Sequence, residues 1–171
     1  MIHSYGNNAP KIHPSVFIAP GVHIIGEVTI GKDSSIWFNS VIRGDINSVT
    51  IGERTNIQDG CILHVTHETG SLKIGDDVTI GHGAILHGCE LSDSCLVGMG
   101  AIILDNAKIN SYTLVAAGAM VRAQAKFPEG VLLAGVPARV VRELTPEERL
   151  VIEQSARWYV DYAREYRQQL S

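Results

Sequence analysis

The chain has 171 residues, 45% of them hydrophobic, enough for a single domain, 1–171, with a sizeable core. A charged fraction of 19% and an aromatic fraction of 6%, beside 17 glycines, exclude a disordered chain and an all-helical bundle and point to many tight turns. The net charge of −4, with no cluster of Lys or Arg, excludes an electrostatic footprint for nucleic acid.

Residues 1–11 contain no basic stretch followed by an apolar run. The greasiest segment, 96–104, is short and broken by Gly98 and Gly100, so neither a leader nor a membrane span is expected. From Ile12 onward an aliphatic residue recurs every sixth position: Ile18, Ile24, Ile30, Ile36 and Ile42. After three extra residues the spacing resumes at Ile51, Ile57 and Leu63. Five extra residues around 68–72 lead to Ile74, Ile80 and Leu86, and a one-residue deletion leads to Leu91, Val97, Ile103, Ile109, Val115 and Val121. Four positions after each of these the side chain is mostly small or β-branched (Val22, Ser34, Thr55, Cys61, Ala84, Ala101, Thr113), which implies a second inward position. A period of six is the signature of a parallel β-helix, in which three hexapeptides make one triangular coil and successive coils stack about 4.8 Å apart. The spacing predicts about six coils over residues 12–126.

A Gly/Pro-punctuated stretch, 127–144, reads as a loop with one short strand. Thr145-Pro146-Glu147-Glu148 is a capping box with Pro at the first helical position. Apolar residues follow at Ile152, Ala156, Tyr159, Tyr162, Ala163, Tyr166 and Leu170, an amphipathic helix over 145–170. At about 1.5 Å per residue that helix is long enough to lie along the whole prism and descend past its coils. Cys61, Cys89 and Cys95 are odd in number and lack CxxC spacing, so core thiols and a reducing cytoplasm are expected.

Stacking converts sequence spacing into columns. Arg43, His64 and His87 each follow a register residue and occupy one column; Phe38, Asp59 and His82 occupy another on the preceding face, with Gln58 beside Asp59. Two imidazoles a coil apart reach one metal, but His82 projects from a face turned by about a third of a revolution. A cyclic homotrimer brings His82 of one prism to the His64/His87 face of its neighbour and completes a three-histidine centre with an open position. Trp37 and Phe38 are expected to pack between protomers. Tyr159 is expected near the second or third coil, facing the metal cleft.

Arg43-Gly44-Asp45, Asn56-Ile57-Gln58-Asp59, His64, Ile80-Gly81-His82, Leu86-His87-Gly88-Cys89 and Gly98-Met99-Gly100-Ala101 together resemble the γ-class carbonic anhydrase family, over nearly the whole chain. The resemblance implies an all-β, left-handed β-helix trimer that holds Zn²⁺, or Fe²⁺ or Co²⁺, through His64, His82 and His87. It implies an intersubunit ion pair between Arg43 and Asp45, and a Gln58–Asp59 pair in which Gln58 orients the reactive hydroxide. The implied activity is that of a lyase converting CO2 to bicarbonate. The chain departs from the family's fullest pattern at two positions, where Ile46 and His67 stand in place of glutamates, and the long acidic shuttle loop is replaced by a short insertion. His67 is the candidate proton shuttle, since imidazole is the side-chain type suited to passing protons at physiological pH. Two other readings remain open. One is a hexapeptide acyltransferase or thioesterase acting on CoA, suggested by Ala134-Gly135-Val136-Pro137-Ala138. The other is a non-catalytic metal-stapled scaffold subunit.

Overall fold

A computed structural model describes residues 1–170. The hexapeptide register becomes three vertical ladders of parallel strands. On the first face Ile24, Ile42, Leu63, Leu86, Ile103 and Val121 stack in register. On the second Ile18, Ile36, Ile57, Ile80, Val97, Val115 and Leu133 do so. On the third the ladder is Ile12, Ile30, Ile51, Ile74, Leu91 and Ile109. All but Ile12 and Ile18 are buried, those two lying in the bottom coil where nothing stacks beneath them. The small second set is buried too, with Val22, Ser34, Thr55, Cys61, Ala84, Ala101 and Thr113 filling the narrow corners of the prism.

The corners need left-handed backbone. Asn39, Gly60, Gly83, Gly100 and Gly118 repeat a positive φ at one corner, and Asp33, Arg54, Asp77, Ser94 and Tyr112 at another. Gly31 is held by a close approach: a Cβ there would meet the Gly52 carbonyl of the next coil at 2.7 Å.

The solenoid runs further than the period to Val121 implies. Phe127 packs against the core and Leu133 is fully buried, so the spacing of six continues through the Gly/Pro-rich stretch and the second face gains a seventh level. The stretch 127–144 therefore holds two strands rather than one. Val131–Gly135 pairs in parallel with Leu114–Val115, and Ala138–Glu143 folds back antiparallel on it and closes the stack. At the opposite end Ile2–His3 pairs with the strand His23–Ile30 and extends the first face downward.

The helix α1, Pro146–Leu170, begins with the anticipated box: the Thr145 N–H donates to Glu148 Oε2 (2.9 Å) and the Glu148 N–H to Thr145 Oγ1 (3.2 Å). It descends the second face. Tyr112 Oη donates to Glu153 Oε1 (3.1 Å), Ser155 Oγ meets Thr79 Oγ1 (3.1 Å) two coils lower, and Arg167 donates to the Ser15 carbonyl at the base (2.7 Å). Ile152, Ala156 and Ala163 are its buried residues, the alanines allowing close approach. Trp37 is buried beneath this helix, with ring contacts to Tyr159 (5.3 Å) and Tyr166 (5.1 Å) and its indole N–H on Ser35 Oγ (2.9 Å). It packs on its own chain rather than between protomers, because α1 claims the face from which it projects.

The three faces thus differ in what covers them. The second lies under α1, and the third presents Lys11, Thr29, Thr50, Lys73, Glu90 and Lys108 outward, a polar ladder suited to water. On the first, Val41, Ile62, Ile85, Ile102 and Met120 point outward in one column, and no element among the described residues lies over them. No helix among the described residues is long and apolar enough to cross a membrane.

Candidate metal centre

His64 and His87 follow the buried register residues Leu63 and Leu86, so strand alternation turns both imidazoles out on the first face, directly above Arg43. The strands Ile62–His64 and Ile85–His87 pair residue for residue. His64 Nδ1 lies 3.1 Å from His87 Nε2, and the ring centroids are 5.1 Å apart. The outer nitrogens meet carboxylates, His64 Nε2 at 3.0 Å from Asp45 Oδ1 and His87 Nδ1 at 2.8 Å from Asp105 Oδ1.

Asp45 also accepts from Arg43 Nη1 of its own chain at 2.5 Å. Burial works against the Asp45 carboxylate, but the bonds from Arg43 and His64 outweigh it and hold the carboxyl below its usual range. At Asp105 burial is likewise outweighed, by the Thr66 hydroxyl and His87.

An ionised carboxylate only accepts, so the outer nitrogen of each ring carries the proton and the inner two present lone pairs to each other. A cation between those lone pairs, or a proton on one of them, relieves the contact. Imidazole nitrogens are donors suited to Zn²⁺, Fe²⁺ or Co²⁺, so this half of the centre fits the expected metal.

His82 stands apart. It stacks over Asp59, with Phe38 below and Met99 above, along the corner where the second face ends. Its Nδ1 lies 2.7 Å from Asp59 Oδ2, leaving Nε2 free to point outward. Among the described residues of one chain, no three His, Cys, Asp or Glu side chains converge as a ligand set. Gln58 is buried beside Asp59 and donates through Nε2 to Asn56 Oδ1 (3.1 Å). Trp37, Phe38, Tyr159, Tyr162 and Tyr166 join Asp59 and His82 around a cavity of about 440 Å³, which puts Tyr159 at the level expected of it. Burial, reinforced by Asp59, raises the Tyr159 pKa, so the phenol is a protonated donor at neutral pH.

His67 sits on the exposed loop of the five-residue insertion, its Nδ1 3.9 Å from Glu68 Oε1. The three thiols are free and buried. Burial pushes Cys61 up to about 11 and Cys95 to about 12, so none supplies thiolate at neutral pH. Two residues beside the centre escaped sequence reasoning. Asp105 stands one coil above Gly88, eighteen residues after His87, and Thr66 donates its hydroxyl to Asp105 Oδ1. Because the coil from Leu86 to Ile103 is one residue short, the His87 column continues to Leu104, and Asp105 stacks over Gly88 instead, where column counting from the histidines does not lead.

The bacterial transferase hexapeptide family (six repeats) matches residues 9–44. The chain is 43% identical to gamma carbonic anhydrase 2 and 46% identical to gamma carbonic anhydrase 1, both mitochondrial, of Arabidopsis thaliana, each match taking in 92% of this chain. It spans only 58% and 59% of the length of those two relatives. It is 48% identical to the probable carbonic anhydrase of Methanocaldococcus jannaschii, over 87% of this chain and 93% of that protein. A Bacillus cereus crystal structure, provisionally described as an acetyltransferase, superposes with a TM-score of 0.97 at 45% identity, over 99% of this chain and 98% of that one.

Proposed function

Because this chain belongs to the gamma carbonic anhydrase family, we propose that it hydrates CO2 to bicarbonate at Zn²⁺ centres, each held between two subunits of a cytoplasmic homotrimer by His64 and His87 of one subunit and His82 of the next. One observation carries this reading: an imidazole pair with facing nitrogens 3.1 Å apart and outer nitrogens on carboxylates lies on the uncovered apolar face, while the third imidazole, tied to a carboxylate, projects from a different corner of the same prism. The apolar column Val41, Ile62, Ile85, Ile102 and Met120 supports closure by a second copy, since the other two faces are covered or polar.

A divalent metal held by three imidazoles lowers the pKa of bound water toward about 7 and so supplies hydroxide at neutral pH. The protein's residues do the rest. Asp59 accepts from His82 Nδ1 and fixes that ring, Asp45 accepts from His64 Nε2, and Arg43 keeps Asp45 ionised. Gln58, immobilised by Asn56, orients the attacking water through its amide. The aromatic wall from Trp37 to Tyr166 offers CO2 an apolar approach, with the Tyr159 hydroxyl at its edge. His67 takes the released proton at Nε2 and delivers it to solvent, its exposure on the loop opening it to bulk water.

Metal analysis paired with stopped-flow CO2 hydration tests the reading. One metal per chain and hydration well above buffer background are expected, with His67→Ala slower in dilute buffer only. Metal-replete protein that hydrates no CO2 would overturn it. Acetyl-CoA turnover in the same preparation would then favour acyl transfer, the chemistry attached to the Bacillus cereus relative, and inertness toward both would favour the scaffold.

A further inference from the structure

Resting on the metal-centre reading above, we propose that Asp105 is a positioning residue that locks His87 in the tautomer able to bind metal, with Thr66 and Gly88 as its clamp. The Asp105 carboxylate sits above the Gly88 corner, where the Asn106 N–H donates to the Gly88 carbonyl (2.7 Å). Its Oδ1 lies 2.8 Å from His87 Nδ1 and also receives the Thr66 hydroxyl. Because a carboxylate cannot donate, His87 carries its proton on Nδ1 and turns the Nε2 lone pair toward His64. A free histidine side chain favours the proton on Nε2, which would mask that nitrogen. Asp105 reverses the intrinsic preference.

The surroundings are shaped for this carboxylate. A Cβ on Gly88 would meet Asp105 Oδ1 at 2.6 Å, and Gly88 also holds φ +50°, so a side chain there drives the carboxylate off His87. Thr66 is anchored twice, its N–H on the Gly70 carbonyl (2.9 Å) and its carbonyl on Asn47 Nδ2 (3.1 Å). The two insertions that break the hexapeptide register therefore meet beside the metal ligands and brace the acceptor of His87. Asp59 treats His82 in the same way through Nδ1, so the two rings present the same nitrogen.

The test compares wild type, Asp105→Ala and, as a control for loss of a surface ion pair, Glu90→Gln, which removes only the partner of Lys108. Long-range ¹⁵N–¹H spectra of the metal-free proteins at alkaline pH read the His87 tautomer, and chelator competition reads zinc affinity. Wild type and Glu90→Gln should keep the proton on His87 Nδ1. Asp105→Ala should move it to Nε2 and weaken zinc binding by about 10- to 100-fold, with Gly88→Ala reproducing both effects. A His87 proton that stays on Nδ1 in Asp105→Ala, or zinc affinity equal to wild type, overturns the positioning role. Wild type that takes up no zinc yet loses the Nδ1 proton on Asp105→Ala supports the positioning and overturns the metal reading instead.

Discussion

Ile85→Asp places a charge in the middle of the uncovered first face. Ile85 is 36% exposed in the single chain, with Ile62 at 47% directly below it. Full burial of an isoleucine contributes roughly 1.5–3 kcal/mol, so covering what remains of Ile85 contributes about 0.5–1 kcal/mol at each subunit contact. The aspartate forfeits this and strands a carboxylate in an apolar column, where its desolvation costs several kcal/mol. Even a net loss of about 3 kcal/mol lowers the association constant of one contact by roughly 100-fold, and a closed ring incurs it at three equivalent contacts. The fold itself should survive, because the side chain points away from the core beside buried Leu86. Light scattering at micromolar concentration should report three times the 18.5 kDa chain mass for wild type and a single chain mass for the variant, with unchanged circular dichroism. Thr50→Asp on the polar third face serves as the control and should remain trimeric. The variant should also lose its zinc, since separation parts His82 from His64 and His87. A trimeric Ile85→Asp would refute the interface, and a monomer holding zinc at wild-type affinity would refute the shared centre.

Mixing tests the shared centre more directly. Chains carrying His82→Ala and chains carrying His64→Ala should each bind no zinc alone. After subunit exchange at equal amounts every mixed ring contains one complete ligand set, so about a quarter of the wild-type zinc should return; no recovery despite proven exchange would place all three ligands in one chain. The helix cap supplies a pH dependence. The paired Arg142 Nη1 and Nη2 contacts at 2.7 and 2.8 Å hold Glu148 down to about 2, below an ordinary glutamate near 4.3. A carboxylate depressed on folding stabilises above its unfolded pKa and loses that contribution as pH falls toward the folded value. The melting-temperature gap between wild type and Glu148→Gln should be widest near pH 6, shrink as the pH falls below about 4 and close only near about pH 2, whereas a gap independent of pH would remove the ion pair from the cap.

How much of this was legible in the residues follows from what a short repeat encodes. A period of six with aliphatic register residues leaves one backbone solution, and because every coil sits on the last, equal offsets became columns: Arg43, His64 and His87 on one face, Phe38, Asp59 and His82 at a corner. The capping box at Thr145 and the stripe through Ala156 and Tyr159 likewise marked the helix and its approximate depth. Where the pattern lost its aliphatic signature, reading failed: Phe127 and the surrounding Gly and Pro concealed a seventh level, and the return strand Ala138–Glu143 has no periodicity of its own. Only the folded chain decided which face α1 would cover, and with it that Trp37 belongs to the interior, that the third face is polar and that the first stays uncovered among the described residues. Only the folded chain could also bring Thr66, Gly88 and Asp105 together around His87, because that contact runs between register-breaking insertions and successive coils and depends on a missing Cβ. Periodicity specifies where side chains repeat; which of them meet across a corner is set by packing in three dimensions.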